Sequence, residues 1–221
     1  GVTVRYAVSP FHQPPPYALA GLCDAGYLGC IGGIIRMDQD GKNREVFSIG
    51  ARNSVGQDFN PKDGTLWWTD NQTDGMGNDI PPGELNRSTK KGEHFGYPYW
   101  GGHVKVAGTA AAPDLKDMKE PAKAVFPQVE FPAHQAQLGM SFYTGKAFPK
   151  KYQGGIFVAS HGSWNRTTPS GYLINYIPLN ADGTAGKAEI FADGFLDAES
   201  KRALGRPVDV ANLPDGSILV S

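Results

Sequence analysis

Polar and charged side chains gather in a few segments of this 221-residue sequence. GARNSVGQDF (50–59) places Arg52 and Asn53 just ahead of a strand-like run, and TDNQTDGMGNDIPPGELN (69–86) holds Asp70, Asp74 and Asp79 among Asn71, Gln72 and Asn78. FPAHQAQLGMSFY (131–143) carries His134, ASHGSWNRTTPSGY (159–172) carries His161 and Arg166, and LGRPVDV (204–210) adds Arg206. A guanidinium fork pairs carboxylates bidentately, so Arg52, His134 and Arg206 would form an anion pocket if the fold converges them. The other reading has each arginine cap a loop or pair with a nearby acid, Arg206 with Asp209 for example. The oxygen-rich loop 70–79 suits Ca²⁺, whose ligands are carboxylates and carbonyls, although the spacing is not that of an EF-hand. A solvated Asp/Gly turn reads equally well. His161, beside Ser163, Trp164, Asn165 and Arg166, is a candidate catalytic or ligand-binding group, or a structural histidine satisfied by a loop carbonyl. Nucleophile-elbow, phosphate-loop and dinucleotide fingerprints are absent.

The elements that must position these groups are strands. Val2–Val8 alternates as VTVRYAV, and Ile31–Met37 and Arg44–Ile49 flank the turn signal Asp40-Gly41. Val55–Phe59 and Thr65–Thr69 flank Pro61-Lys62-Asp63-Gly64; Leu138–Tyr143 and Gly155–Ser160 follow. Tyr172–Leu179 and Lys187–Ala192 flank Asp182-Gly183, and Val208–Leu213 and Ser217–Ser221 flank Pro214-Asp215-Gly216. Helical periodicity is scarce, with short candidates at Asp114–Glu120 and Asp197–Leu204 only. The strands repeat: IIRMDQDGKNREVFSIG (34–50) parallels LINYIPLNADGTAGKAEIFADG (173–194), and QDFNPKDGTLWWT parallels VANLPDGSILVS, with AVFPQVEF (124–131) a weaker copy. Copies that cannot bury their own faces must stack, and four antiparallel strands per copy define a β-propeller blade. The predicted division is a part blade over 1–50, blades over 52–130 and 138–194, and a part blade over 205–221. This is about half of a propeller, which is expected to be completed by the remainder of a longer chain or by a second copy. Trp67 and Trp68 point to opposite faces of one strand, so they are expected to pack between blades. His94 and His103, around GYPYWGG, are expected at the surface.

The composition agrees. The 29 Gly and 17 Pro, about one residue in five, suit many short strands and turns. With 21 Lys+Arg against 22 Asp+Glu the net charge is −1, which excludes a generic nucleic-acid binder. Hydrophobic residues at 40% and charged residues at 19% exclude a disordered chain. No apolar run approaches the roughly 20 residues that span a bilayer, and no leader follows Gly1. Cys23 and Cys30 read as a local disulfide in an oxidising compartment, or as two free thiols.

ARNSVGQDFNPKDGTLWWTDN, NDIPPGELNRSTKKGEHFGYPYW, AHQAQLGMSFY, FPKKYQGGIFVASHGSWNR and GRPVDVANLPDGSILVS, in this order over about residues 31–221, resemble the soluble glucose/sorbosone dehydrogenases. That family consists of six-bladed propellers using pyrroloquinoline quinone (PQQ). The resemblance implies that Arg52 and Asn53 contact the quinone. It puts the family's next quinone contact and its Ca²⁺-binding backbone carbonyls on Asp70, Asn71, Gln72 and Thr73, with Gln72-Thr73 standing where the family has Gly-Pro. It places a polar contact at His134, a basic one at His161 or Arg166, and an arginine at Arg206; a second family arginine is Val208 here. It implies a periplasmic or extracellular enzyme that oxidises an aldose and passes electrons to a quinone or cytochrome. In that family a histidine takes the hydroxyl proton while hydride passes to the quinone and Ca²⁺ polarises it. None of His12, His94, His103, His134 or His161 matches that base, so the chain by itself is expected to be inactive. Two other readings stand beside this one: a non-catalytic propeller binding a glycan or protein, and a Ca²⁺-dependent propeller lactonase or other hydrolase.

Overall fold

Alternation in the strands sends successive side chains to different sheets' interfaces, and the computed structural model, which describes residues 4–8, 32–107 and 120–221, shows where each goes. Strands β1 (Val4–Val8), β2 (Gly33–Met37) and β3 (Glu45–Ile49) form one antiparallel sheet, to which the short β7 (Glu93–His94) adds in parallel. The second sheet is antiparallel in the order β4 (Ser54–Phe59), β5 (Leu66–Asp70), β6 (Gly83–Ser88), β10 (Val129–Phe131). The third runs β11 (Gln137–Phe142), β12 (Ile156–Ser160), β13 (Leu173–Ile177), β14 (Glu189–Ala192). β15 (Val210–Asn212) pairs with β16 (Ile218–Val220), and β8 (Trp100–Gly101) with β9 (Val104–Lys105). The described residues are all-β apart from one 3-10 turn at Lys150–Tyr152. They form a part of a β-propeller built from four-stranded antiparallel blades.

Among the described residues, three apolar cores lie between neighbouring sheets. Trp67, Leu85, Phe131, Met140, Phe142, Ile156 and Val158 fill the seam between the second and third sheets. Trp68 faces the other way, into a core with Ile34, Leu66 and Phe95 of the first sheet's side. Phe157, one residue from Ile156 and Val158, joins Tyr143, Tyr176 and Val210 toward β15. The rings meet edge to face, Trp67 on Phe142 at 5.8 Å and Trp68 on Phe95 at 4.5 Å. Period-2 alternation thus serves two interfaces at once, which is why both tryptophans are fully buried.

The inner strands approach closely because glycine stands where they cross. A Cβ on Gly56 of β4 would lie 2.3 Å from the Leu138 carbonyl oxygen of β11, and one on Gly139 would strike Asp209. Thr69 bridges the first crossing: its Oγ1 accepts the Gly56 N–H at 3.0 Å and donates to the Leu138 carbonyl at 2.6 Å. The Asp-Gly turns share one device. Asp63, Asp182 and Asp215 each accept both the backbone N–H and the hydroxyl of the residue two on (Thr65, Thr184 and Ser217), with the intervening glycine at positive φ.

Some expectations need correction. Asp197–Leu204 is a turn, not a helix: Asp197 Oδ1 accepts the N–H groups of Glu199 and Ser200, and Leu196 bridges to Ala203. Polar side chains caught in this way by the backbone favour a turn over a helix. Strand β6 was not placed by hydropathy, because GELNRS buries Glu84 and Asn86 rather than exposing them. His94 is buried, not at the surface, since its ring lies against Gly50, where a Cβ would come within 2.5 Å. Cys23, Cys30, His12 and most of the helix candidate Asp114–Glu120 lie outside the described residues. Among the described residues no helix is long and apolar enough to cross a membrane.

Candidate functional site

The polar segments meet along one rim of the sheets, where each inner strand begins and its partner ends: Ser54 opposite Asp70, Gln137 opposite Ser160. They form three clusters.

The first surrounds Asp70, the last residue of β5 and fully buried. Its carboxyl accepts the backbone N–H of Arg52 at 2.8 Å and of Asn53 at 2.5 Å. Directly across on β6 stands Glu84, also fully buried, accepting the Asn86 amide at 2.8 Å and the Gly102 N–H at 2.5 Å. Burial pushes the Asp70 carboxyl up to about 7, against the pull of its backbone donors. Burial, and then the Asp70 charge, push Glu84 up to about 8. Arg52 lies over the loop that leaves β5; its Nη1 donates to the carbonyls of Asn71 at 3.0 Å and Gln72 at 2.8 Å. The Asn71 side chain donates to the Gln137 carbonyl at 2.9 Å, tying this loop to β11. The Asn53 side chain, half-buried, makes no hydrogen bond to the described residues.

The second cluster joins the 74–79 loop to the next sheet. His134 Nε2 meets the Gly77 carbonyl at 2.8 Å, and Nδ1 faces the Asn165 amide at 3.2 Å and Asp74 at 3.4 Å. Arg166 donates to the carbonyls of Asn78 and Ala133 and pairs with Asp79 at 3.2 Å. Between these clusters is a cavity of about 70 Å³ lined in part by Gln72, Gly83, His134, Gln137 and Asn165. Gly83 leaves room for the Gln137 amide, whose oxygen a Cβ there would meet at 2.0 Å. His134 and Ala136 sit at φ +66° and +54°, a conformation costly for non-glycine residues. The turn they make offers the Gln135 and Ala136 carbonyls to the N–H groups of Gly162 and His161.

The third cluster is a reciprocal clasp. His161 Nδ1 contacts the Pro207 carbonyl at 3.2 Å, while Arg206 donates to the Gly162 carbonyl at 3.1 Å and the Tyr172 hydroxyl at 3.3 Å, its guanidinium over the Tyr172 ring. A donating Nδ1–H fixes the tautomer that leaves Nε2 as an acceptor, and Nε2 has no partner among the described residues. Arg206 is exposed and pairs with no carboxylate among them; Asp209 accepts its own strand's Val210 N–H instead. The expected candidates therefore separate by use. Arg52, Asn71, His134 and Arg166 hold loops together; Asn53, His161 and Arg206 keep groups open to a ligand. The Asp70–Glu84 pair was not legible as a pair, because its members lie 14 residues apart and meet only through the β5–β6 register.

An anionic quinone with several carboxylates fits the open group: Arg206 supplies an unneutralised fork and His161 a directed imidazole. The cavity of about 70 Å³ is small for a tricyclic quinone, so such a ligand would extend along the open rim. Ca²⁺ at Gln72 and Thr73 fits less well. A cation 2.3–2.6 Å from the Gln72 oxygen, which lies 2.8 Å from Arg52 Nη1, would be at most about 5.4 Å from that nitrogen, a repulsion of at least about 6 kcal/mol at an effective dielectric of 20. Both Asp70 oxygens already accept backbone N–H groups. Among the described residues no three His, Cys, Asp or Glu side chains group as a metal site.

Fold and rim together define part of a β-propeller whose polar loops gather along one edge of its blades. Residues 36–195 match the TrAA12-like family, and the chain belongs to that family. An uncharacterized protein of Borreliella burgdorferi is 42% identical over 190 residues, covering 84% of this chain and 48% of that protein. The Trichoderma reesei protein of Carbohydrate-Active Enzymes Family AA12, in its iodide structure, superposes with a TM-score of 0.69 at 20% identity over 99% of this chain and 62% of that one. The holo PQQ domain of pyranose dehydrogenase from Coprinopsis cinerea does so with a TM-score of 0.59 at 21% identity over 86% and 58%. The chain thus spans about half the length of the curated relative it matches.

Proposed function

We propose that the full-length protein is a PQQ-dependent dehydrogenase that oxidises an aldose or related sugar. The observation that carries this reading is the His161–Arg206 clasp, an open imidazole nitrogen beside an unneutralised arginine on the rim of a TrAA12-like propeller. The holo PQQ domain of the Coprinopsis pyranose dehydrogenase supports the choice of cofactor. When bound, the quinone supplies the two-electron acceptor. Arg206 would anchor one of its carboxylates, the Asn53 amide would donate to an edge oxygen, and His161 Nε2 would accept a hydrogen bond from a ligand hydroxyl or ring N–H. The Asp70-anchored Arg52–Asn53 turn and the Arg166 staple would hold the rim rigid so that these groups stay aimed. Calcium at Gln72 and Thr73 has no part in this reading, because Arg52 already serves the Gln72 carbonyl.

The sugar's proton acceptor lies outside these 221 residues, so the chain alone would not turn over. Electrons would leave to a quinone or cytochrome outside the cytoplasm. There the Cys23–Cys30 bond would persist; labelling of both thiols in unreduced protein would exclude it.

Titration of the full-length protein with PQQ, followed by quinone absorbance, tests the pocket. Arg206→Ala removes a charge-assisted hydrogen bond worth about 1.5–3 kcal/mol, so Kd should rise roughly 10- to 100-fold. His161→Ala should weaken binding less, about 10-fold at most. Unchanged affinity in both variants overturns the assignment.

A further inference from the structure

The β5–β6 loop begins as a closed ring. Asp70 accepts the Arg52 and Asn53 N–H groups, the Asn71 N–H donates to the Asn53 carbonyl at 3.1 Å, and Arg52 Nη1 donates to the Asn71 and Gln72 carbonyls at 3.0 and 2.8 Å. Arg52 is 5% exposed. One cationic nitrogen drawing two successive carbonyl oxygens together is the task a divalent cation performs in oxygen-rich loops. A guanidinium carries its charge on the chain itself, so the contact does not depend on metal supply. The backbone of the same arginine is fixed by Asp70, so its side chain is aimed from a rigid base. Glu84, behind Asp70, is held by Gly102 and Asn86 and does not compete for the guanidinium.

We propose that Arg52 serves the 70–73 loop as a built-in substitute for a structural divalent cation, so that this loop is ordered, and any ligand contact it makes is set, without metal. The inference concerns the ligand-free protein and stands whether or not the quinone reading holds.

Hydrogen exchange of residues 70–74 in the full-length, quinone-free protein tests it. For the unaltered protein, amide protection and melting temperature should be the same in EDTA and in millimolar Ca²⁺. Arg52→Ala should lose at least 10-fold of the protection at Asn71 and its neighbours, and Arg52→Lys, which keeps a cation, should lose less. A fall in protection when EDTA is added to the unaltered protein, or a rise with Ca²⁺, overturns the proposal, and neither result needs a variant to fold. Protection in Arg52→Ala equal to that of the unaltered protein also overturns it.

Discussion

Gly56→Ala is expected to destabilise the fold by about 3 kcal/mol, the upper end of the range for overpacking a buried site. The added methyl would lie 2.3 Å from the Leu138 carbonyl oxygen and 2.7 Å from the Met140 nitrogen, both backbone atoms of β11. A flexible side chain could swing away from such a contact; backbone held to β12 at Gln137 and from Met140 to Phe142, and to Val208 through the Gly139 N–H, cannot. Relief would require β4 and β11 to separate, opening the Trp67–Phe142 core and stretching the Thr69 bridge between them. Gly64→Ala is the control. Gly64 sits at φ +71° with nothing within 4 Å of the added atom, so it should cost only the left-handed strain of about 1–2 kcal/mol. Denaturant unfolding of the full-length protein compares the two. A cost for Gly56→Ala no larger than for Gly64→Ala would show that the inner strands are not pressed together at this point.

The second large effect is a pH dependence set by Asp70 and Glu84. Unfolded, these carboxyls titrate near 3.8 and 4.5; folded, burial moves them to about 7 and about 8. Between pH 4 and 8 the folded state therefore binds more protons than the unfolded state, and stability falls as pH rises across that window. The contribution is complete below about pH 4 and gone above about pH 8, and it amounts to a few kcal/mol. Glu84→Gln should flatten the profile and make the protein more stable than the unaltered one at pH 9. The amide oxygen can still accept the Gly102 N–H, and its nitrogen can donate to Asn86 Oδ1, which has no partner, once the Asn86 amide turns over to present its oxygen in place of Nδ2. Thermal melts from pH 5 to 9 measure this. Parallel profiles for the two proteins would mean that Glu84 is ionised in the fold at neutral pH.

Much of the architecture was legible because its causes are local. The Asp-Gly turns, the alternation through Trp67-Trp68 and the repeated hairpins each depend on a few adjacent residues. The third strand of the Trp67-Trp68 blade, β6, was not, since GELNRS carries no apolar alternation and the burial of Glu84 and Asn86 follows only from the pairing with β5. The rim chemistry was legible by residue type but not by use. Nothing in the spacing of Arg52 and Arg206 tells that one spends its charge on the Asn71 and Gln72 carbonyls while the other remains unneutralised. That difference follows from the Asp70 anchor, which turns the Arg52 side chain inward. At the third inner strand Asp209 stands where Gly56 and Gly139 stand in the first two, and its side chain fills the space that Gly139 leaves.

The most direct test of the proposed function is dye reduction by the full-length protein, loaded with PQQ, against a panel of aldoses. Sugar-dependent reduction that requires the quinone, and is weakened by Arg206→Ala at subsaturating quinone, is the predicted result. Quinone bound at the rim with no sugar-dependent reduction, or reduction that proceeds equally without quinone, would contradict it.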